Sequence, residues 1–317
     1  MPQAVRRPHP AVPAKLRQLL RLVRESHEQP ISGTSRIYQR PPASGNAVTF
    51  IGHSSFLIEL GGRTALIDPV FSKRLVVLRR QRHPGLDWRS LPVIDLVLLT
   101  HAHMDHLNIV SLRRIIRRTR RLRGVAPEVV VPAGVESLVG RLGFSRIHSL
   151  TWWESTRAGG LDITMTPAQH WGARMFRDTH RGFGGYVLRP FGSNGEPDET
   201  ASVYHSGDTA YFPGFREIGN RLRPRTALLP IGAYFPDSYR AVHTSPEEAL
   251  QAFVDLGAEQ MVPMHFGTFR LGREPMDEPP VRLLADGDRR GIRDRIHLLA
   301  EGESLLLPAP ALQAVAP

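Results

Sequence analysis

His101-Ala102-His103-Met104-Asp105-His106 sets four potential ligands in six residues, directly after the apolar run DLVLLT at 95–100. A nearly all-apolar run of that length reads as a strand covered on both faces, and α/β folds gather their sites at the carboxyl ends of such strands. Four side chains this close can face one point only if the backbone turns. Split as His101 with His103 and Asp105 with His106, they can serve two adjacent ions. Imidazole and carboxylate without thiolate suit Zn²⁺, with Mn²⁺ or Fe²⁺ as alternatives. Three more candidates follow at the ends of later apolar runs: His170 after DITMTPAQ, Asp208 after ASVYHSG, and His265 closing QMVPMH.

The elements that must position them are legible as short apolar runs from Val48 onward. VTFIG (48–52), SFLIEL (55–60) and RTALID (63–68) read as strands, the last two joined at Gly61-Gly62 by a hairpin turn. A helix from about Val110, a strand at 129–131, a short helix and a strand near 147–151 follow. The second half continues with strands at 162–166, 184–189, 201–207, 226–232 and 260–265. Ser245-Pro246-Glu247-Glu248 carries the marks of a helix start: a capping hydroxyl, Pro in the first turn, and acids near the amino end. A final helix and a strand at 296–300 (IHLLA) close the pattern. Two mixed sheets sandwiched between helices accommodate this order.

The chain has 317 residues, 41% of them hydrophobic and 22% charged, enough for a sizeable core and inconsistent with wholesale disorder. It has no Cys, which excludes disulfides, a thiolate nucleophile and Cys-based zinc sites. No apolar run reaches the roughly 18–20 residues of a membrane-spanning helix, and the amino-terminal segment lacks a secretory apolar stretch. A cytoplasmic location is the expectation. The organisation expected is an extension at 1–45 with a basic amphipathic helix, one α/β domain at 46–307, and a tail at 308–317.

Charge is placed unevenly. The net +11 concentrates at 1–25 and 73–89, each with six basic residues against one acid, and at 113–123, with seven Arg and no acid. Leu16, Leu19, Leu20 and Val23 give the first segment a helical apolar stripe. Arg74-Leu75-Val76-Val77-Leu78-Arg79-Arg80 reads as a buried strand or a lipid-contacting stretch. Residues 1–25 and 73–89 are therefore expected to suit an anionic membrane surface, with the protein at its inner face. The arginines at 113–123 also suit phosphates, but no aromatic residues interleave them, so nucleic acid is not the expected partner. Self-association is left open.

HAHMDH followed by lone His, Asp and His residues at strand ends resembles the metallo-β-lactamase superfamily of binuclear metallohydrolases. More narrowly, the chain is similar to the group of phospholipases D that hydrolyse N-acyl-phosphatidylethanolamine. FIGHSSFLIE, LPVIDLVLLTHAHMDHL, TPAQHWGAR, GDTAYFPGFREIGNR, LLPIGAYFP, HTSPEEA and MHFGTFRL carry the likeness, which spans 50–271. The resemblance implies a four-layer αββα sandwich. It also implies two Zn²⁺ ions, one on His101, His103 and His170, the other on Asp105, His106 and His265, bridged by Asp208. It suggests Asp105 and His243 as residues at the reaction centre; Asp68, at the end of RTALID, is expected to orient a ligand His, and His53 either does likewise or is a structural histidine. Thr151 stands where that group has Asp, and Phe183 and Phe266 where it has Trp, changes that bear on the pocket rather than the ligands. The expected activity is attack of a metal-bound hydroxide on a phospholipid phosphodiester. The alternative is a lactonase or other small-molecule hydrolase like the ascorbate-6-phosphate lactonases.

Overall fold

The computed structural model describes residues 14–41, 45–174 and 180–308, so the first thirteen residues and all but Pro308 of the expected tail at 308–317 lie outside the described residues. The chain opens with α1 (Ala14–Glu28), then runs β1 (Ala47–Gly52), β2 (Ser55–Leu60), β3 (Arg63–Ile67), β4 (Arg74–Leu75), β5 (Leu78–Arg79) and β6 (Leu96–Leu98). It continues with α2 (Ile109–Arg123), β7 (Glu128–Pro132), α3 (Glu136–Val139) and β8 (Ile147–Leu150). The second half holds β9 (Ser155–Ala158), β10 (Leu161–Thr166), β11 (Gly185–Arg189), β12 (Val203–His205), α4 (Gly214–Leu222) and β13 (Thr226–Pro230). It ends with α5 (Pro246–Leu256), β14 (Gln260–Met264), α6 (Glu278–Arg289) and β15 (Ser304–Leu306).

These strands form two mixed sheets. One is ordered β15-β1-β2-β3-β6-β7-β8 and the other β14-β13-β12-β11-β10-β9. In the first, β15 through β3 pair antiparallel and β3 through β8 parallel. In the second, β14-β13-β12 are parallel and the rest antiparallel. Alternation along each strand assigns side chains to layers. Phe56, Ile58 and Leu60 of β2, with Leu96 and Leu98 of β6, enter the core between the sheets, which the second sheet and α4, α5 and α6 complete. Leu57 and Val97 point the other way, joining Leu112 and Ile115 of α2 in an outer core. The arrangement is α/β, with both sheets clothed in helices.

Four local readings need correction. The expected strand at 296–300 is irregular apart from a bridge between Ile296 and Met261. A turn at Glu301-Gly302 carries the chain across to β1, where Ser304–Leu306 pairs instead. The polar strand Ser155–Ala158 carries no apolar alternation to announce it. Arg74 to Arg79 is not one strand but a tiny hairpin whose tip, Val76-Val77, is exposed, with Val76 at φ 53°. In α1 the docked face is Leu22 and Ser26, while Leu19 and Leu20 face outward. Ser26 Oγ accepts a hydrogen bond from Arg79 N (3.1 Å), which fixes the helix against β5. The extension is also stitched to the domain beyond α1: Ser32 bridges Arg82, Arg36 bridges Leu86, and the Tyr38 hydroxyl donates to Glu59 (2.6 Å).

α5 shows how local chemistry sets a loop that reaches the site. Ser245 Oγ accepts from Glu248 N (3.3 Å), and Glu248 Oε2 accepts from Ser245 N (2.8 Å), a reciprocal capping box. The preceding Thr244 hydroxyl donates to Pro230 O (2.6 Å), anchoring the turn that presents His243. Ser245→Ala is expected to lower unfolding free energy by about 1 kcal/mol, read as a lower urea midpoint with an unchanged slope.

Candidate metal centre

The site is built where strand ends meet. The loop after β6 carries His101, His103, Asp105 and His106; Asp208 follows β12, His265 follows β14, and His170 follows β10. The parallel pairing of β12 with β13 and of β13 with β14 sets their carboxyl ends side by side. Gly207 holds φ 64° where a Cβ would stand 2.7 Å from Gly184 O, so the turn into Asp208 requires glycine.

All seven candidates converge. His103 Nδ1 lies 2.8 Å from His101 Nε2 and 3.3 Å from His170 Nε2. Asp208 Oδ2 lies 3.3 Å from His106 Nε2, 3.0 Å from His265 Nε2 and 4.0 Å from His170 Nε2. Asp105 Oδ2 is 3.7 Å from His106 Nε2 and 3.8 Å from His265 Nε2. The donor atoms fall into groups within ligand reach of one another: His101, His103 and His170; His101, His106 and Asp208; and His53, Asp105, His106 and His265. His243 joins Asp208 and His265 in a further group, its Nδ1 3.9 Å from Asp208 Oδ2.

Outer partners set the tautomers. Asp68 Oδ1 accepts from Thr100 N (2.8 Å), and its Oδ2 accepts from the Thr100 hydroxyl (2.6 Å) and His106 Nδ1 (2.7 Å). With its proton spent on Asp68, Thr100 Oγ1 accepts from His101 Nδ1 (3.0 Å). His170 Nδ1 donates to Val242 O (2.9 Å). When neutral, His101, His106 and His170 therefore all turn an Nε2 lone pair inward, as metal-ligating histidines do. His53 Nε2 contacts Asp105 Oδ2 at 3.0 Å, and His265 N donates to His53 O (2.9 Å). His53, Asp68, Ala233 and His265 all hold positive φ, between 43° and 62°, so backbone strain concentrates here.

The residues fit a cation. His106 Nε2, both ring nitrogens of His265 and Asp208 Oδ1 are buried without a hydrogen-bond partner in the protein. Buried orphans of this kind are costly, and the Nε2 atoms of His101 and His170 on either side of His103 Nδ1 share too few protons to satisfy one another. Divalent ions would supply the missing partner for His106 Nε2, for one ring nitrogen of His265 and for Asp208 Oδ1.

Comparison with known proteins agrees. The family profile described as "Beta-lactamase superfamily domain" matches residues 63–266. The chain belongs to this superfamily. An uncharacterised protein of Mycobacterium tuberculosis is 35% identical over 81% of this chain and 68% of its own length. An N-acyl-phosphatidylethanolamine-hydrolysing phospholipase D of Caenorhabditis elegans is 30% identical over 74% of this chain and 69% of its own. A metal-dependent hydrolase of Rubrobacter xylanophilus is 31% identical over 82% and 96%. The solved structure of Igni18, a metallohydrolase from Ignicoccus hospitalis, superposes with a TM-score of 0.62 at 25% identity, covering 83% of this chain and 98% of that one. The protein is thus a metal-dependent hydrolase of the β-lactamase superfamily with the metallo-β-lactamase fold, and its His/Asp cluster is able to hold metal.

In this superfamily member several supporting residues escape a reading of the sequence. Arg174 donates through NH1 to Ala102 O (2.9 Å) and Leu107 O (3.0 Å), clamping both ends of the ligand loop. The Glu274 carboxylate accepts from Ala233 N and Phe235 N, fixing the loop behind His265. Trp171 stands exposed over His170 and His103, with ring centroids 4.4 and 4.8 Å away. Only the WGAR and PIGAY segments hinted at these places. His205 is a packing residue, its Nε2 donating to Ser54 O (3.0 Å) and its Nδ1 accepting from Gly207 N (3.0 Å).

In the metal-free chain the imidazoles divide into two classes. Burial holds His101 and His170 well below the ordinary value, lowers His103, and brings His53 and His243 to about 4. Burial opposes the charge on His106 and His265 too, but Asp208 and Asp105 outweigh it, raising His106 far above 6.5 and His265 to about 9. Burial likewise opposes ionisation of Asp105 and Asp208, and the charge on His106 overrides it, holding both carboxyls well below their usual range. The lowered histidines resist protonation in the folded state, so their stability contribution is lost as pH falls from 6.5 towards 4. The raised ones contribute fully below 6.5 and lose it as pH climbs through about 9. The urea midpoint of metal-free protein is expected to peak near pH 6.5 and to fall both as pH drops towards 4 and as it rises towards 9; a midpoint that keeps climbing from pH 6.5 to 9 would contradict this.

Proposed function

We propose that this hydrolase is a binuclear, zinc-dependent phosphodiesterase of phospholipase D type, acting on N-acyl-phosphatidylethanolamine or a related phospholipid. The observation that carries the two-ion reading is the sharing of Asp208 between donor groups on either side of it. We assign one ion to His101, His103 and His170, the other to Asp105, His106 and His265, and a bridging role to Asp208. Mn²⁺ or Fe²⁺ would suit the same donors. Bound there, two divalent ions would supply Lewis acidity to a phosphoryl oxygen and lower the pKa of water.

The chain's own residues then have defined tasks. Asp105, kept ionised, accepts at Oδ2 from His53 and supplies negative charge that orients a water by hydrogen bonding. His243 is neutral at pH 7 because burial lowers it to about 4, so its orphaned Nδ1, facing Asp208, can accept a proton and pass it on. The Trp171 indole beside His170 shields one side of the site from water.

The surface around the mouth supports a lipid substrate. Gln18 of α1 donates to the Tyr239 hydroxyl (2.5 Å), and the adjoining Ala241 and Val242 carbonyls accept from Gln169 and His170. The basic amphipathic helix is thus coupled directly to the loop behind a candidate ligand. Its outward Leu19 and Leu20, the hairpin tip Val76-Val77 and the exposed Phe235 are apolar, and Arg17, Arg21, Arg24 and Arg74 accompany them. Apolar residues among cations suit peripheral docking on an anionic leaflet. Among the described residues no helix is long and apolar enough to cross a membrane.

Metal-loaded protein is expected to convert N-acyl-phosphatidylethanolamine vesicles to phosphatidic acid and N-acylethanolamine, identified by mass spectrometry. His101→Ala should lower the rate by roughly a hundredfold or more. No turnover by protein carrying two ions would reject the phospholipid and favour lactones or soluble phosphodiesters.

A further inference from the structure

α2 carries a second feature, remote from the metal centre. It begins at Ile109 beside the ligand loop and packs back along β6, and its last turn pairs Arg123 with Asp95, at the opposite end of that strand. A row on its outer face, Arg114, Arg117, Arg118 and Arg121, therefore runs down the flank of the molecule for about 10 Å, away from the site. Trp88 lies alongside, with the guanidinium of Arg114 5.3 Å and that of Arg89 4.9 Å from its ring centre. These five arginines and the indole line a hollow of about 320 Å³ that contains no carboxylate. A second hollow, of about 570 Å³, continues past Trp88 and adds Lys73 and His83, with Asp87 at its edge.

The charges in this row are unpaired. Elsewhere many surface arginines meet an acid, as in Arg21–Glu25, Arg221–Glu217 and Arg282–Glu247. Among the described residues Arg114, Arg117, Arg118 and Arg121 have no carboxylate partner, and only Arg89, 3.6 Å from Asp87, has one in the first hollow. Like charges three and four residues apart on a helix repel one another. Arg118 is further tied down, its Nε donating to Leu91 O (2.7 Å), and it cannot swing away from its neighbours without losing that bond. A concave, self-repelling set of guanidinium groups is stabilised by an anion that bridges several of them. Guanidinium favours phosphate over simpler anions because it offers paired donors.

We propose that the hollow between Trp88 and α2 is a binding site for a ligand bearing clustered phosphate groups, separate from the metal centre. A phosphate-rich lipid headgroup and a free polyphosphate share that chemistry. The site stands whether or not the substrate reading above is right, because none of its residues touches the cluster.

The test uses full-length, metal-loaded protein and two probes: inorganic tripolyphosphate by calorimetry, and phosphatidylcholine vesicles with and without a phosphatidylinositol bisphosphate by flotation. The charge-reversed variant Arg117→Glu/Arg121→Glu, and the neutral Arg117→Gln/Arg121→Gln, are compared with the parent after metal content and melting are matched. Weakening of tripolyphosphate binding by tenfold or more, with a steep salt dependence in the parent, supports the site and assigns a soluble ligand. Loss of bisphosphate-dependent flotation in the variants supports it and assigns the headgroup. Equal binding of both probes by parent and both variants, or no binding of either by the parent, overturns the proposal.

Discussion

The buried carboxylate of Asp208, set within 4 Å of imidazole nitrogens from three separate strand ends, is the constraint from which the rest of the structure follows. An ionised group taken out of water costs several kcal/mol unless charge and hydrogen bonds compensate it. The fold compensates Asp208 with His106 and His265, and stabilises His106 from behind with Asp68. In the metal-free chain, protons on those two imidazoles provide the positive charge. Ligand chemistry requires them neutral, so protons and divalent ions compete for one place.

Architecture makes that placement affordable. Each sheet changes from antiparallel to parallel pairing, and the parallel portions bring β6, β12 and β14 to one end of the sandwich. Strand cores stay dry and apolar, while the turns just past them carry the polar groups. Strained backbone at His53 and His265, joined to each other by a main-chain hydrogen bond, shows the turns being held against their own preference.

Much of this was legible in the residues, for physical reasons. The HAHMDH cluster is contiguous, and His170, Asp208 and His265 each close an apolar run, so the strand-end rule finds them without coordinates. The sandwich followed from apolar runs buried on both faces. What stayed hidden depends on partners far away in the chain. Arg174 reaches two carbonyls of a loop some seventy residues earlier. The outward turn of Leu19 and Leu20 depends on which face of α1 finds Arg79. The final strand was misplaced because the apolar Ile296 touches the edge of β14 at a single bridge to Met261, whereas the partly exposed Ser304–Leu306 pairs along β1. The arginine run at 113–123 was visible, but its union with Trp88 and Arg89 was not.

The most direct test of the account is the number and position of bound ions. Crystals of metal-loaded protein, measured at the zinc absorption edge, should show two anomalous peaks on either side of the Asp208 carboxylate, and Asp208→Ala should lose at least one of them. A single peak bonded to neither Asp208 nor His265, or two peaks unaffected by the substitution, would contradict the shared-carboxylate centre.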